Sequence, residues 1–127
     1  MRALVIDDSR TMRRIIVGVL RSMGFDTIEA GDGREALDIL ATGIEVDLAC
    51  IDWNMPVMNG LEFVMAVRAD RSLRELTLMM ITTESETNQI VRALAAGAHE
   101  YVIKPFTPDA IRDKLQLLGL VEFEESA

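Results

Sequence analysis

Three carboxylates, a hydroxyl and a lysine stand at the ends of apolar runs in this chain. Asp7 and Asp8 follow Ala3-Leu4-Val5-Ile6, and Asp52 follows Leu48-Ala49-Cys50-Ile51. Thr82 follows Leu78-Met79-Met80-Ile81, and Lys104 follows Tyr101-Val102-Ile103. Singly, each has an ordinary structural reading. Asp7-Asp8 can cap a helix, Asp52 can start a turn, Thr82 can end a strand, and Lys104 can be a solvated charge. Jointly they mean more. Clustered carboxylates repel and raise one another's proton affinity, so they call for a counter-charge. Magnesium supplies one, since it takes one or two carboxylates together with waters and phosphate oxygens. Lys104 adds a fixed positive charge, and Thr82 adds a donor for an anionic oxygen. The set suits a phosphoryl group carried on Asp52. Phosphoryl transfer needs mostly positioning and charge neutralisation, and an aspartate can accept the group as an acyl phosphate.

That chemistry requires elements that bring these residues together. The four apolar runs show little polar alternation, as expected of parallel strands covered on both faces. Asp26-Thr27-Ile28-Glu29-Ala30 does alternate and reads as an edge strand. Helical patterns lie between them. Ser9 caps a first helix with the stripe Met12, Ile15, Ile16, Val19, Leu20 and Met23, and Gly24 ends it in the left-handed conformation. Asp32 opens a second with Ala36, Leu37 and Leu40. Asn59 opens a third with Leu61, Val64 and Met65. A fourth follows Thr83, carries Ile90, Val91 and Leu94, and ends at Gly97. Thr107-Pro108 opens a fifth, with Ile111, Leu115 and Leu118 on its buried face. The alternation predicts an α/β fold: a five-stranded parallel sheet with right-handed crossovers and five helices on both faces. Ligands of such sheets sit beyond the carboxyl ends of the strands. Asp7, Asp8, Asp52, Thr82 and Lys104 all fall at those ends, on one rim.

Composition narrows the classes. At 127 residues, half of them hydrophobic, the chain suits one domain with one ordinary core. The net charge of -8 argues against a nucleic-acid binder and against anionic membranes. The single cysteine, Cys50, lies inside an apolar run and fits a cytosolic setting. No apolar stretch approaches the roughly 18 residues of a membrane span. The start, MRALVIDD, turns acidic too soon for a signal peptide. The expected location is cytoplasmic. The methionines read as core fillers, and His99 receives no catalytic role.

The stretches VIDDSRTMRRI, IDWNMPVMNGLEF, MITTE and YVIKPF carry a resemblance. So does the spacing: Asp52 to Thr82 is 82 − 52 = 30 residues, and Asp52 to Lys104 is 104 − 52 = 52. Over almost its whole length the chain resembles the receiver domains of two-component response regulators, nearest the single-domain chemotaxis regulators of the CheY type. The resemblance implies the strand order 2-1-3-4-5, a receiver domain over residues 1–121 and an acidic tail at 122–127. It implies Asp52 as phosphoacceptor, with Thr82 and Lys104 contacting phosphoryl oxygens. Asp8 and Asp52 become metal ligands, joined by the backbone carbonyl of Asn54, while Asp7 holds metal-bound water. The implied cofactor is Mg2+, with Mn2+ or Ca2+ as substitutes. Lys104-Pro105 is implied to be cis. Tyr101 matches the switch aromatic, whose ring moves inward as Thr82 is drawn to the phosphate. Asn54 and Glu84 are implied to tune dephosphorylation.

A signalling protein follows, not an enzyme, assisting only its own phosphorylation and dephosphorylation. Its implied partners are a CheA-like sensor histidine kinase and a flagellar motor switch protein or a phosphatase, with no nucleic acid or membrane partner and a monomeric state. The fourth helix, fifth strand and fifth helix form the implied output face. Three other readings stay open. An intermediate of a phosphorelay shares every site residue. A haloacid-dehalogenase-like phosphatase uses the same residue types, but has a second Asp where this chain has Asn54. A flavodoxin-like cofactor carrier has a hydroxyl- and glycine-rich loop where this chain has Asp7-Asp8-Ser9-Arg10.

Overall fold

The computed structural model describes residues 1–122; the predicted acidic tail, past Glu122, lies outside the described residues. The elements run β1 (Arg2–Ile6), α1 (Arg10–Ser22), β2 (Asp26–Ala30), α2 (Gly33–Ala41) and β3 (Leu48–Ile51). They continue with α3 (Gly60–Ala69), a short 3-10 turn (Arg71–Leu73), β4 (Thr77–Thr82), α4 (Thr87–Ala96), β5 (Glu100–Ile103) and α5 (Pro108–Leu117). The strands form one parallel sheet in the order β2-β1-β3-β4-β5. This is the predicted fold.

Strand alternation builds two cores. Ala3, Val5, Leu48, Cys50, Met79 and Ile81 face one side, where α1 and α5 cover them with Ile16, Val17, Leu20, Ile111 and Leu115. Leu4, Ile6, Ala49, Ile51, Leu78 and Met80 face the other, under Ala36, Leu40, Phe63, Val64, Val67 and Ala93 of α2, α3 and α4. Burial on both faces explains why these strands lack polar alternation. Burial also pushes the Cys50 thiol up to about 12, so it stays protonated and inert.

Caps fix the helix positions. Ser9, Asp32, Asn59 and Thr107 each accept a backbone N–H from the first turn of the helix they precede. Past α1, Gly24 takes φ 92° while its N–H bonds the Arg21 carbonyl and that of Phe25 bonds the Leu20 carbonyl. A residue with a β-carbon pays strain in that conformation.

Three expected helix faces are corrected. In α1 the buried side is Ile16, Val17 and Leu20, while Ile15 is exposed. In α3, Phe63 and Val67 are buried and Met65 is exposed. The fourth helix starts at Thr87, with Glu84-Ser85-Glu86 in the preceding loop, and buries only Ala93; Val91 and Leu94 are exposed. In each case the sheet contacts a narrower arc of the helix than the apolar residues occupy.

His99 has a structural position. Its Nδ1 accepts the Leu78 N–H at 3.1 Å and lies 3.3 Å from an Arg68 guanidinium nitrogen. Arg68 also donates to the Gly97 and Leu76 carbonyls at 3.0 and 2.9 Å, tying α3 to the loop before β5. An accepting Nδ1 carries no proton, so the neutral ring holds its hydrogen on Nε2. Burial, and then the Arg68 charge, hold the His99 pKa below its ordinary value. A depressed histidine pKa gives stability that is present above the unfolded value of about 6.5 and lost as pH falls below it through the folded value. His99→Asn keeps an acceptor near the Nδ1 position but does not title in this window. Melting curves between about pH 6.5 and 5.5 are expected to show the wild type losing ground to that variant as pH falls. A constant difference would remove His99 as the cause.

Candidate functional site

The strand register sets the site. Ile6 pairs with Ala30 on one side and Ile51 on the other, and Ile51 pairs with Met80. Thr82 pairs with Ile103. The residues that follow or end these pairs therefore share one rim, at the point where the chain reverses its direction of winding between β1 and β3.

There, Asp7, Asp8 and Asp52 each place a carboxylate oxygen within 4.8 Å of the others. Asp7 is 1% and Asp52 8% exposed, while Asp8 is open to solvent. The Lys104 ammonium lies 2.7 Å from Asp7 Oδ2 and 3.5 Å from Asp52 Oδ2. The other oxygens are tied to backbone: Asp7 Oδ1 accepts the Ser9 N–H at 2.9 Å, and Asp52 Oδ1 accepts the Trp53 N–H at 2.8 Å. Thr82 is fully buried beside Asp52, and its hydroxyl oxygen accepts the Glu84 N–H at 3.3 Å. Burial holds the Asp52 carboxyl above the usual carboxylate range; Lys104 and then the Thr82 hydroxyl oppose this, and Asp7 reinforces it. Among the described residues, these three carboxylates against one ammonium leave two negative charges uncompensated, which fits an oxygen-seeking divalent cation.

The response regulator receiver domain profile matches residues 3–116. A chemotaxis protein CheY homolog of Campylobacter jejuni is 45% identical over 129 residues, covering 100% of this chain and 99% of that one. The chain belongs to the response regulator receiver family. The chemotaxis protein CheY of Pseudomonas aeruginosa is 45% identical over 117 residues, covering 91% of this chain and 94% of that one. The solved chemotaxis protein CheY4 of Vibrio cholerae has a TM-score of 0.83 at 36% identity, covering 91% of this chain and 96% of that one. A Thermotoga maritima response regulator, TrrA, solved in complex with Mg(2+)-BeF, has a TM-score of 0.80 at 29% identity, covering 92% and 97%.

Within this receiver, all five rim residues named from sequence are brought together. Asn54 and Glu84 also meet: Asn54 Nδ2 donates to Glu84 Oε1 at 2.7 Å. The Glu84 carbonyl accepts the Tyr101 hydroxyl at 2.7 Å, and the Tyr101 ring is buried beneath it. Burial and the nearby Glu84 and Asp52 charges push the Tyr101 phenol up to about 12, so it remains a donor. Lys104-Pro105 is cis, as the resemblance implies.

Two supporting residues escaped the sequence reading. Arg13 donates to the Asp7 carbonyl at 2.7 Å and pairs with Glu29 at 3.2 Å, bracing the first aspartates from α1. Nothing in the run RTMRRI singles out Arg13 from its neighbours. The second is Gly60, whose N–H donates to the Trp53 carbonyl at 2.8 Å. A β-carbon there would collide with the Asp52 carbonyl oxygen and press on the Trp53 Cα. Gly60→Ala is expected to destabilise by about 3 kcal/mol, since the backbone carrying Asp52 must move. Gly18→Ala, in α1 with open space around its Cβ, is expected to stabilise by about 0.5–1 kcal/mol. Urea denaturation of both variants checks the pair; equal effects would contradict this view of the close approach.

Proposed function

We propose that Asp52 takes a phosphoryl group from the phosphohistidine of a sensor kinase and that this switches the face formed by α4, β5 and α5. The observation that carries the reading is the convergence of Lys104, Thr82 and the carboxylates of Asp7 and Asp8 on the Asp52 carboxylate at a strand end. An Asp52 carboxylate oxygen attacks phosphorus; the new O–P bond forms as the P–N bond to histidine breaks. The imidazole leaves with the bond's electron pair and takes up a proton. In this reading Lys104 holds one phosphoryl oxygen and the Thr82 hydroxyl donates to another. Asp8, Asp52 and the Asn54 carbonyl would hold Mg2+, with Asp7 acting through water; Asp7's two oxygens are already committed to Lys104 and Ser9. Bound there, magnesium supplies the charge neutralisation that phosphoryl transfer requires.

Asn54 and Glu84, bonded across the mouth, restrict water's approach and so tune the phosphoryl lifetime. The names of the full-length relatives favour chemotaxis, with a CheA-like kinase upstream and a flagellar motor switch protein or a phosphatase downstream. The protein assists only its own phosphorylation and dephosphorylation. A monomer in the cytoplasm fits this role, and among the described residues no helix is long and apolar enough to cross a membrane. The receiver match over residues 3–116 favours this reading above the phosphatase one.

The signal needs a bistable element. Thr82, drawn toward a phosphoryl oxygen, shifts at the floor beneath the Glu84–Tyr101 bond. A partner that prefers the resulting position of Tyr101 stabilises it. Thr82→Ala is expected to accept phosphate yet show much smaller beryllofluoride-induced amide shifts around Tyr101 by NMR. Wild-type-sized shifts there would remove Thr82 from the route.

A further inference from the structure

Asp8 stands apart from the other two rim aspartates. Asp7 and Asp52 are buried, and their carboxylate oxygens are tied to Lys104 and to backbone N–H groups. Asp8 is exposed, and among the described residues no hydrogen bond or ion pair holds its carboxylate. Its aim is therefore set by the backbone on either side of it.

That backbone is closed by one residue. Arg13 donates its own backbone N–H to the Ser9 carbonyl at 2.9 Å and its Nη1 to the Asp7 carbonyl at 2.7 Å. A peptide unit is planar, so holding the Asp7 carbonyl also holds the Asp8 N–H and Cα. The segment Asp7-Asp8-Ser9 is thus gripped at both ends, with Asp8 in the middle. The reach follows from helix geometry. Helical side chains lean toward the helix N-terminus, so Arg13, early in α1, reaches back to the residues before it. Arg10 and Arg14 are exposed instead. Glu29 of β2 holds the guanidinium in place, its Oε1 accepting from Arg13 Nε at 3.2 Å, and leaves the Arg13 side chain only 18% exposed. On charge alone an arginine is a poor neighbour for a cation site, because it repels the ion. The Glu29 carboxylate offsets that charge and leaves the donors.

We propose that Arg13 is a positioning residue for magnesium: by fixing the Asp7-Asp8 peptide it presents the Asp8 carboxylate to the ion. The proposal rests on Asp8 being a ligand of the cation beside Asp52. Groups that orient a metal ligand in this way carry roughly 10- to 100-fold in metal affinity.

Calorimetric titration of the full chain with magnesium chloride tests this. Arg13→Met removes the donors and the charge and keeps an apolar stem. Were Arg13 to act through its charge alone, this change would tighten magnesium binding. Were it only a tie between α1 and β2, the melting temperature would fall and the affinity of the folded protein would stay. Binding about tenfold weaker is expected in Arg13→Met. The same loss is expected in Arg13→Gln, which serves if Arg13→Met does not fold. In an Asp8→Ala background, Arg13→Met should cost less than about twofold more, because the group it positions is gone. Unchanged or tighter binding in the folded Arg13 variants overturns the proposal, as does a further tenfold loss in the Asp8→Ala background. If Asp8→Ala alone binds magnesium as tightly as wild type, Asp8 is no ligand, and the underlying reading falls and takes this one with it.

Discussion

Asp52→Asn is expected to take up no phosphoryl group from acetyl phosphate and magnesium, and to melt higher than the wild type. The first result follows from chemistry, because an amide is a poor nucleophile and cannot carry an acyl phosphate. The second follows from burial. The Asp52 carboxyl is held above the usual carboxylate range mainly by desolvation, with Asp7 adding repulsion. A folded pKa raised above the unfolded one gives stability that is complete below about pH 4 and is lost as pH rises through the folded value. The advantage of Asp52→Asn should therefore open as pH climbs from about 4. Intact mass and melting curves across pH check both halves. Full labelling of the variant would end the assignment, and a pH-independent difference in melting would reject the electrostatic account.

Magnesium is expected to stabilise the wild type. Asp7, Asp8 and Asp52 lie within 4.8 Å of one another with one lysine between them, so a cation bound to the folded state shifts the equilibrium by mass action. At ten times its dissociation constant the gain is about 1.4 kcal/mol, or roughly 5 °C for a chain of this size. Asp8→Ala removes the exposed carboxylate. It should melt higher than wild type without magnesium, because repulsion is relieved, and respond to magnesium less than half as strongly. Equal responses in calorimetry would show that Asp8 is not a ligand.

The sheet and its rim could be read before the structure because both depend on short-range pattern. Unbroken apolar runs mark strands buried on two faces, and in a parallel sheet their ends must align. Asp7, Asp52, Thr82 and Lys104 therefore met as expected. Helix faces were less legible. Ile15 and Val17 are both apolar, and only the packing of α1 against the sheet decides that Val17 is buried and Ile15 is not. Val91 and Leu94 fit a buried stripe, yet α4 touches the core through Ala93. Contacts between distant segments left no local trace at all. Arg13 on the Asp7 carbonyl, His99 on the Leu78 N–H and the Gly60 approach to Asp52 depend on packing distances that no periodicity encodes. The backbone at Val57, with φ 69°, was hidden likewise, since the segment IDWNMPVMNG shows a turn but not which residue adopts positive φ.

The most direct test of the account is to locate the phosphoryl group. Borohydride reduces an aspartyl phosphate to homoserine, which marks the acceptor in the chain. The protein is treated with acetyl phosphate and magnesium, reduced, digested and mapped by mass spectrometry. Homoserine is expected at position 52 and at no other aspartate, and none in the Asp52→Asn variant. Homoserine at Asp7 or Asp8, or a labelled protein with Asp52 unmodified, would contradict it.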